Sequence, residues 1–128
     1  MEMEIVSIIT PCYNSEKYIA DTYNSIKSQT YTNWEWIIVD DCSSDKSVEI
    51  IQSFNDKRIK LVIQSKNQGA AYARNLALNK AQGRFITFLD SDDLWLPNFL
   101  ETTINYLIEN NFEAKDTTYL CRCGQSFN

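Results

Sequence analysis

The chain alternates short, almost continuously apolar runs with segments whose apolar residues recur every three or four positions. Glu4-Ile5-Val6-Ser7-Ile8-Ile9-Thr10 is β-branched and nearly unbroken, the pattern of a strand covered on both faces. Pro11 is expected to stop it, and Asn14 or Ser15 to cap a helix carrying Ile19, Tyr23 and Ile26. Trp34-Glu35-Trp36-Ile37-Ile38-Val39 predicts a second strand ending at Asp40-Asp41. Ser43, Ser44 and Asp45 then offer caps for a helix with an apolar stripe of Val48, Ile51 and Phe54. Ile59-Lys60-Leu61-Val62-Ile63 reads as a shorter third strand. Asn67-Gln68-Gly69 leads into an alanine-rich helix over Ala70 to Leu78 that can pack close to a sheet, with Gly83 where a helix C-cap glycine is expected. The fourth strand, Arg84 to Leu89, runs into Asp90-Ser91-Asp92-Asp93. Pro97 suits the first turn of a last helix with Leu100, Ile104, Leu107 and Ile108 on one face.

Strand–helix alternation predicts an α/β fold: a mostly parallel, Rossmann-like sheet with helices on both faces. The pattern defines one domain over residues 1–114. From Lys115 to Asn128 it has no clear period; the reading is an aperiodic tail, a truncation or a frame change, with at most a short strand at Thr117 to Leu120. No apolar run approaches the ~18–20 residues that span a bilayer, and Met1-Glu2-Met3-Glu4 lacks the positive start of an export signal. The expectation is a cytoplasmic chain with no transmembrane segment.

Composition narrows the chemistry. A net charge of −5 argues against a nucleic-acid partner. The absence of histidine removes Ser-His-Asp and Cys-His catalysis, imidazole metal ligands and the usual neutral-pH proton shuttle. Cys12 and Cys42 follow apolar runs and read as small buried hydrophobes, while Cys121-Arg122-Cys123 is half a zinc site at best. The chemistry therefore falls to carboxylates.

In an open parallel sheet, ligands bind beyond the carboxyl ends of the strands. Three polar clusters follow strands here: Thr10-Pro11-Cys12-Tyr13-Asn14, Asp40-Asp41-Cys42-Ser43-Ser44-Asp45 and Asp90-Ser91-Asp92-Asp93. Asp45 or Ser44 has an ordinary explanation as a cap. Asp90, Asp92 and Asp93 do not share one, because a single cap needs one carboxylate. Crowded carboxylates repel, and a cation relieves them. Mg²⁺ or Mn²⁺ takes one or two carboxylates and fills its shell with water and phosphate oxygens, which suits a nucleoside diphosphate.

With these motifs in order, the sequence resembles the inverting family 2 glycosyltransferases, enzymes of the GT-A fold that use nucleotide-sugar donors. The resemblance rests on Val6 to Asn14, Trp36 to Asp45, Asn67-Gln68-Gly69 with Ala73-Arg74-Asn75, and Gly83 to Pro97, and covers roughly residues 4–112. It implies that Pro11 and Tyr13, with the backbone near Thr10, border the donor base, and that Asp41 accepts a hydrogen bond from a uracil ring. Arg74 would lie near the donor phosphates or help to fix the pocket. Asp90-Ser91-Asp92 matches the family's DxD motif, with Asp90 near the ribose, Ser91 between, and Asp92, assisted by Asp90, on Mn²⁺ or Mg²⁺. The implied partners are a UDP-sugar and a glycan or lipid-linked glycan acceptor, and the implied setting is cell-surface polysaccharide or lipopolysaccharide synthesis, peripheral at the inner face of the plasma membrane.

Two other enzyme or signalling classes share parts of this pattern. A receiver-type Mg²⁺-binding domain places its acidic pair after the first strand and a lysine after a fifth, whereas here the pair follows the second. A nucleotidyltransferase carries a glycine-rich basic loop after the first strand, which Pro11-Cys12-Tyr13-Asn14 does not resemble. Inverting transfer also needs a general base, which in the family lies well after the DxD segment. Only Glu101, Glu109, Glu113 and Asp116 follow Asp93. None is well placed, so the base is expected beyond residue 128, and the chain is read as a half that binds donor without transferring sugar.

Overall fold

In the computed structural model, which describes residues 4–110, the strands lie side by side because both their faces are apolar and both find helices to cover them. The elements are β1 (Val6–Cys12), α1 (Ile19–Lys27), β2 (Trp34–Asp40), α2 (Ser47–Ser53), β3 (Ile59–Ile63), α3 (Ala70–Lys80), β4 (Phe85–Phe88) and α4 (Phe99–Glu109). The four strands form one parallel sheet in the order β3-β2-β1-β4.

Alternation along the strands assigns each residue to a layer. Val6, Ile8, Trp34, Trp36 and Ile38 join Ile19, Tyr23 and Ile26 of α1, Ile51 of α2, and Leu100, Ile104 and Leu107 of α4. Ile9, Ile37 and Val39 meet Ala73 and Ala77 of α3 on the opposite face, where small side chains let the helix lie close. At the centre of the first layer, Trp36 is wholly buried and parallel to the Tyr23 ring, which in turn stacks 4.2 Å from Phe54.

A buried carboxylate, Glu35, lies at the amino ends of the strands. Glu35 accepts hydrogen bonds from Ser7 Oγ at 2.5 Å, Lys60 Nζ at 2.7 Å and the Gln82 N–H at 2.7 Å. Burial pushes its carboxyl up, but the bonds from Lys60, Ser7 and Gln82 outweigh that and hold it below its ordinary range. This network ties β1, β2, β3 and the segment leading into β4 together at the amino ends of the strands.

Several local expectations are corrected. Pro11 does not stop β1, which pairs with β2 through Cys12. Ile9 faces β4, accepting from Leu89, and so by alternation does Pro11. Its missing N–H falls where the β1–β4 ladder has already ended at Ile9–Phe88. Gly83 is not a C-cap in the left-handed region. A Cβ there would lie 2.6 Å from the Ile5 carbonyl oxygen and 2.7 Å from the Ser7 nitrogen, so glycine is required by close approach. Neither Asn14 nor Ser15 caps α1: the Asn14 side chain accepts from the Ser44 N–H, and the Ser15 hydroxyl is bonded to that of Ser91. Ser43 and Ser44 likewise do not cap α2, but Asp45 accepts from the Ser47 N–H just inside it. The α2 stripe is Ile51 with Ile50 and Phe54 instead of Val48. Pro97 lies in the turn before α4, and Ile108 is exposed. The suggested strand at Thr117 to Leu120, the 115–128 tail and Cys121-Arg122-Cys123 lie outside the described residues.

Two measurements check this account. Gly83→Ala should lower stability by about 1–3 kcal/mol in chemical denaturation, since only backbone movement relieves the contact. Gly69→Ala should also cost about 1–3 kcal/mol, but through backbone strain alone: φ 96, ψ 160 is reached essentially only by glycine, and nothing lies within 4 Å of the added Cβ. The second check is acid stability. The Arg58 side chain, with further bonds from the Arg58 N–H and Tyr23, overcomes burial and lowers Asp56 from 3.8 to about 2. A lowered carboxylate stabilises the fold fully above its unfolded value and loses that contribution as pH falls. The stability gap between the native chain and Asp56→Asn should therefore be constant above about pH 4 and shrink towards pH 2.

Candidate functional site

The chain order of the sheet places a switch point between β1 and β4. Helices α1 and α2 return the chain towards β3 across one face, and α3 then carries it back over the other face to the far side of β1. At the carboxyl ends of such neighbours the connecting loops diverge and leave a crevice. A cleft of about 350 Å³ lies there, lined by Pro11 to Ser15, Tyr18, Asp41, Ala70, Arg74 and Asp90 to Asp92.

The loops are held by polar cross-links instead of apolar packing. After β1, Asn14 adopts φ 49, and its side chain accepts from the Ser44 N–H at 2.8 Å while its own N–H donates to Ser43 Oγ at 2.9 Å. After β2, Asp40 accepts from the Ser43 N–H and hydroxyl at 2.9 and 2.6 Å, closing a turn through Cys42 at φ 65. Asp41, almost fully buried, accepts from Gln64 Nε2 and the Gln68 N–H through Oδ1, and from the Gly69 N–H through Oδ2. It thereby fixes the loop that delivers α3. The α3 amino terminus carries no side-chain cap and opens on the cleft at Ala70, so its positive dipole end adds to the charge of Arg74 there.

After β4, Asp90 to Asp93 form a tight turn closed by the Asp93 N–H on the Asp90 carbonyl at 3.1 Å. Carboxylate oxygens of Asp90, Asp92 and Asp93 lie within 4.8 Å of one another. Three hard oxygen donors at that spacing fit a divalent cation such as Mn²⁺ or Mg²⁺. Arg74 approaches Asp90 at 4.0 Å, and both side chains are about half exposed, so the pair contributes little to stability and both groups remain open to a ligand.

Of the residues singled out from the sequence, Pro11, Tyr13, Asp41, Arg74, Asp90, Ser91 and Asp92 line the cleft together. Tyr13 is half exposed, offering a ring face. Thr10 lies beneath the cleft, fully buried, its hydroxyl donating to the Leu89 carbonyl at 2.5 Å and accepting from Trp36 Nε1 at 2.8 Å. Cys12 shares the floor, its thiol pushed up to about 11 by burial and by the neighbouring Asp40, which makes it a poor nucleophile. Sequence reasoning missed Tyr18, Ala70 and Ser15 as lining residues, and Thr22, which bonds the acidic turn from α1. A polar residue between Ile19 and Tyr23 on a buried helix face was the available signal.

Comparison with known proteins follows the same outline. The profile of Glycosyl transferase family 2 matches residues 7–124. A putative teichuronic acid biosynthesis glycosyltransferase, TuaG of Bacillus subtilis, is 46% identical over 117 residues, covering 90% of this chain and 46% of the relative. The UDP-Glc:alpha-D-GlcNAc-diphosphoundecaprenol beta-1,3-glucosyltransferase WfgD of Escherichia coli is 49% identical over 111 residues, covering 87% and 44%. The chain thus spans a little under half the length of these relatives. Among solved structures, S. aureus TarS in complex with UDP-GlcNAc superposes with a TM-score of 0.80 at 36% identity, over 85% of this chain and 32% of TarS. The mannosyltransferase PcManGT of Pyrobaculum calidifontis, in complex with GDP-Man and Mn²⁺, gives 0.74 at 28% identity, over 80% and 32%. The parallel sheet and its helices are those of the GT-A fold, and the chain belongs to glycosyltransferase family 2.

Proposed function

We propose that residues 1–114 form the donor-binding half of an enzyme that transfers a sugar from a UDP-sugar to a glycan or lipid-linked glycan in cell-surface polysaccharide synthesis. The observation that carries this reading is the cleft itself, where Asp90 and Asp92 of the carboxylate cluster meet Arg74 at the switch point beside an aromatic ring. Relatives support the donor class: TarS is solved with UDP and with UDP-GlcNAc, and WfgD is named for UDP-Glc.

Each residue then has a task. Pro11 and Tyr13 border the base, and Asp41, with one side of Oδ2 beyond its bond to Gly69, accepts from the uracil ring. Arg74 neutralises the diphosphate, Asp90 sits by the ribose, and Asp92, assisted by Asp90, holds Mn²⁺ or Mg²⁺. When bound, that ion supplies Lewis-acid stabilisation of the departing diphosphate. The carboxylates lining the cleft are thus committed to donor and metal, and the base that takes the acceptor's proton comes from outside residues 4–110. Among the described residues no helix is long and apolar enough to cross a membrane. Action at the cytoplasmic face, with peripheral membrane association, is part of the same proposal; the lipid-linked substrate in the WfgD name supports its membrane association.

Calorimetry tests the donor site. UDP should bind the 128-residue chain only with Mn²⁺ or Mg²⁺ present, and Asp92→Asn should weaken it by at least about tenfold, ~1.4 kcal/mol. Asp45→Asn, which alters the bonds from the Ser47 N–H and hydroxyl and from the Glu16 N–H, should leave UDP affinity within about twofold while costing about 1 kcal/mol of stability. Equal UDP affinity with a chelator would overturn the metal assignment. A separate assay follows release of UDP and transfer of labelled sugar. The 128-residue chain should bind donor yet transfer nothing, and robust metal-dependent transfer would show that the base lies within it.

A further inference from the structure

The acidic turn has little apolar anchorage of its own: Asp90 and Asp92 are exposed and Asp93 is partly so. Its carbonyls and the Ser91 side chain are nevertheless held from below at three points, by hydroxyls that come from parts of the chain far away in sequence. At the root of the turn, Thr10 Oγ1 donates to the Leu89 carbonyl. At its middle, the Ser15 and Ser91 hydroxyls share a hydrogen bond of 2.5 Å. On its inner side, Thr22 Oγ1 of α1 lies 3.0 Å from the Ser91 carbonyl and 2.9 Å from the Asp93 carbonyl.

Thr22 stands out in this set. It is fully buried, it is the polar residue on the buried stripe of α1, and a helical threonine ordinarily bonds back to its own helix. Here the hydroxyl is spent on two carbonyls flanking Asp92 instead. One hydrogen serves both, so the two carbonyls must keep their present spacing for both bonds to persist. The carboxylate of Asp92 is attached between those two anchored carbonyls, which limits how far it can swing from Asp90 and Asp93.

We propose that Thr22 is a positioning residue for the divalent cation: by clamping the Ser91 and Asp93 carbonyls from α1, it presets the spacing of the Asp90, Asp92 and Asp93 carboxylates. The inference rests on the donor-site reading above. Thr22 touches neither metal nor donor. Its contribution is that the turn need not be ordered by the ion, so the ion's affinity does not bear that ordering cost.

The test is Mn²⁺ affinity of the full chain by electron paramagnetic resonance and by calorimetry with UDP present, alongside thermal stability. Thr22→Val keeps the shape and removes the donor; Thr22→Ser keeps the donor. Mn²⁺ binding should weaken about tenfold or more in Thr22→Val, measured well below its melting temperature, and return to within about twofold of native in Thr22→Ser. A purely structural role would lower the melting temperature of Thr22→Val and leave Mn²⁺ affinity unchanged, which would overturn the proposal. Should Thr22→Val not fold, Ser15→Ala releases the same turn from another of its contacts and should weaken Mn²⁺ several-fold; native affinity there would overturn the view that this clamping presets the carboxylates. If the native chain binds no Mn²⁺, with or without UDP, the donor-site reading itself falls and this inference with it. If native and Asp92→Asn differ as expected while Thr22→Val matches native, only the inference falls.

Discussion

Like charges brought together have to be restrained by something other than themselves. Two carboxylates about 5 Å apart repel by roughly 1 kcal/mol in water and roughly 3 kcal/mol near a protein surface. Asp90, Asp92 and Asp93 are held within such a distance on an exposed turn. The restraint is backbone hydrogen bonding: the turn closes on itself through Asp93 and Asp90, and buried hydroxyls from β1, the following loop and α1 grip its carbonyls and the Ser91 side chain. The sheet's order makes this geometry available, because β4 lies directly beside β1 and its end therefore meets everything that follows β1.

The acidic residues of the carboxyl edge divide into two kinds. Asp40 and Asp41 are adjacent in sequence and buried, and both spend their oxygens on backbone N–H groups and side chains of neighbouring loops. They build the walls. Asp90 and Asp92 are exposed, Asp90 meeting only the half-exposed Arg74 at 4.0 Å, so both remain open to solvent. Glu35, at the other end of the strands, belongs to the first kind, being saturated by Lys60, Ser7 and Gln82. Burial with hydrogen bonding marks a carboxylate that organises structure; exposed carboxylates close together make an arrangement that a divalent cation can fit.

Much of this was readable from residue patterns. The third strand was placed at Ile59–Ile63 and the second within one residue, because β-branched runs bounded by polar residues leave little choice. The lining of the cleft was largely foreseen too, since strand-end polar clusters in a parallel sheet can only converge. What escaped was tertiary. The role of Gly83 is set by β1 passing 2.6 Å from where its Cβ would be, and no local pattern carries that. The helix caps failed because Asn14, Ser15 and Ser43 bond across loops, 29 to 76 residues away in sequence, instead of to their own helices. Thr10 was legible as near the site but not as beneath it, a distinction that depends on its bonds to Leu89 and Trp36.

Pro11 has a consequence for the company this sheet keeps. Past Ile9 and Phe88, β1 continues alone on its β4 side, and a strand with a free flank ordinarily invites another backbone to zip against it. The next residue on that flank is proline, with no N–H to offer. A passing segment, whether from this chain or another copy, finds no donor with which to lengthen the ladder. The crevice is thus protected from being filled by backbone, and what enters it has to be recognised by side chains and charge.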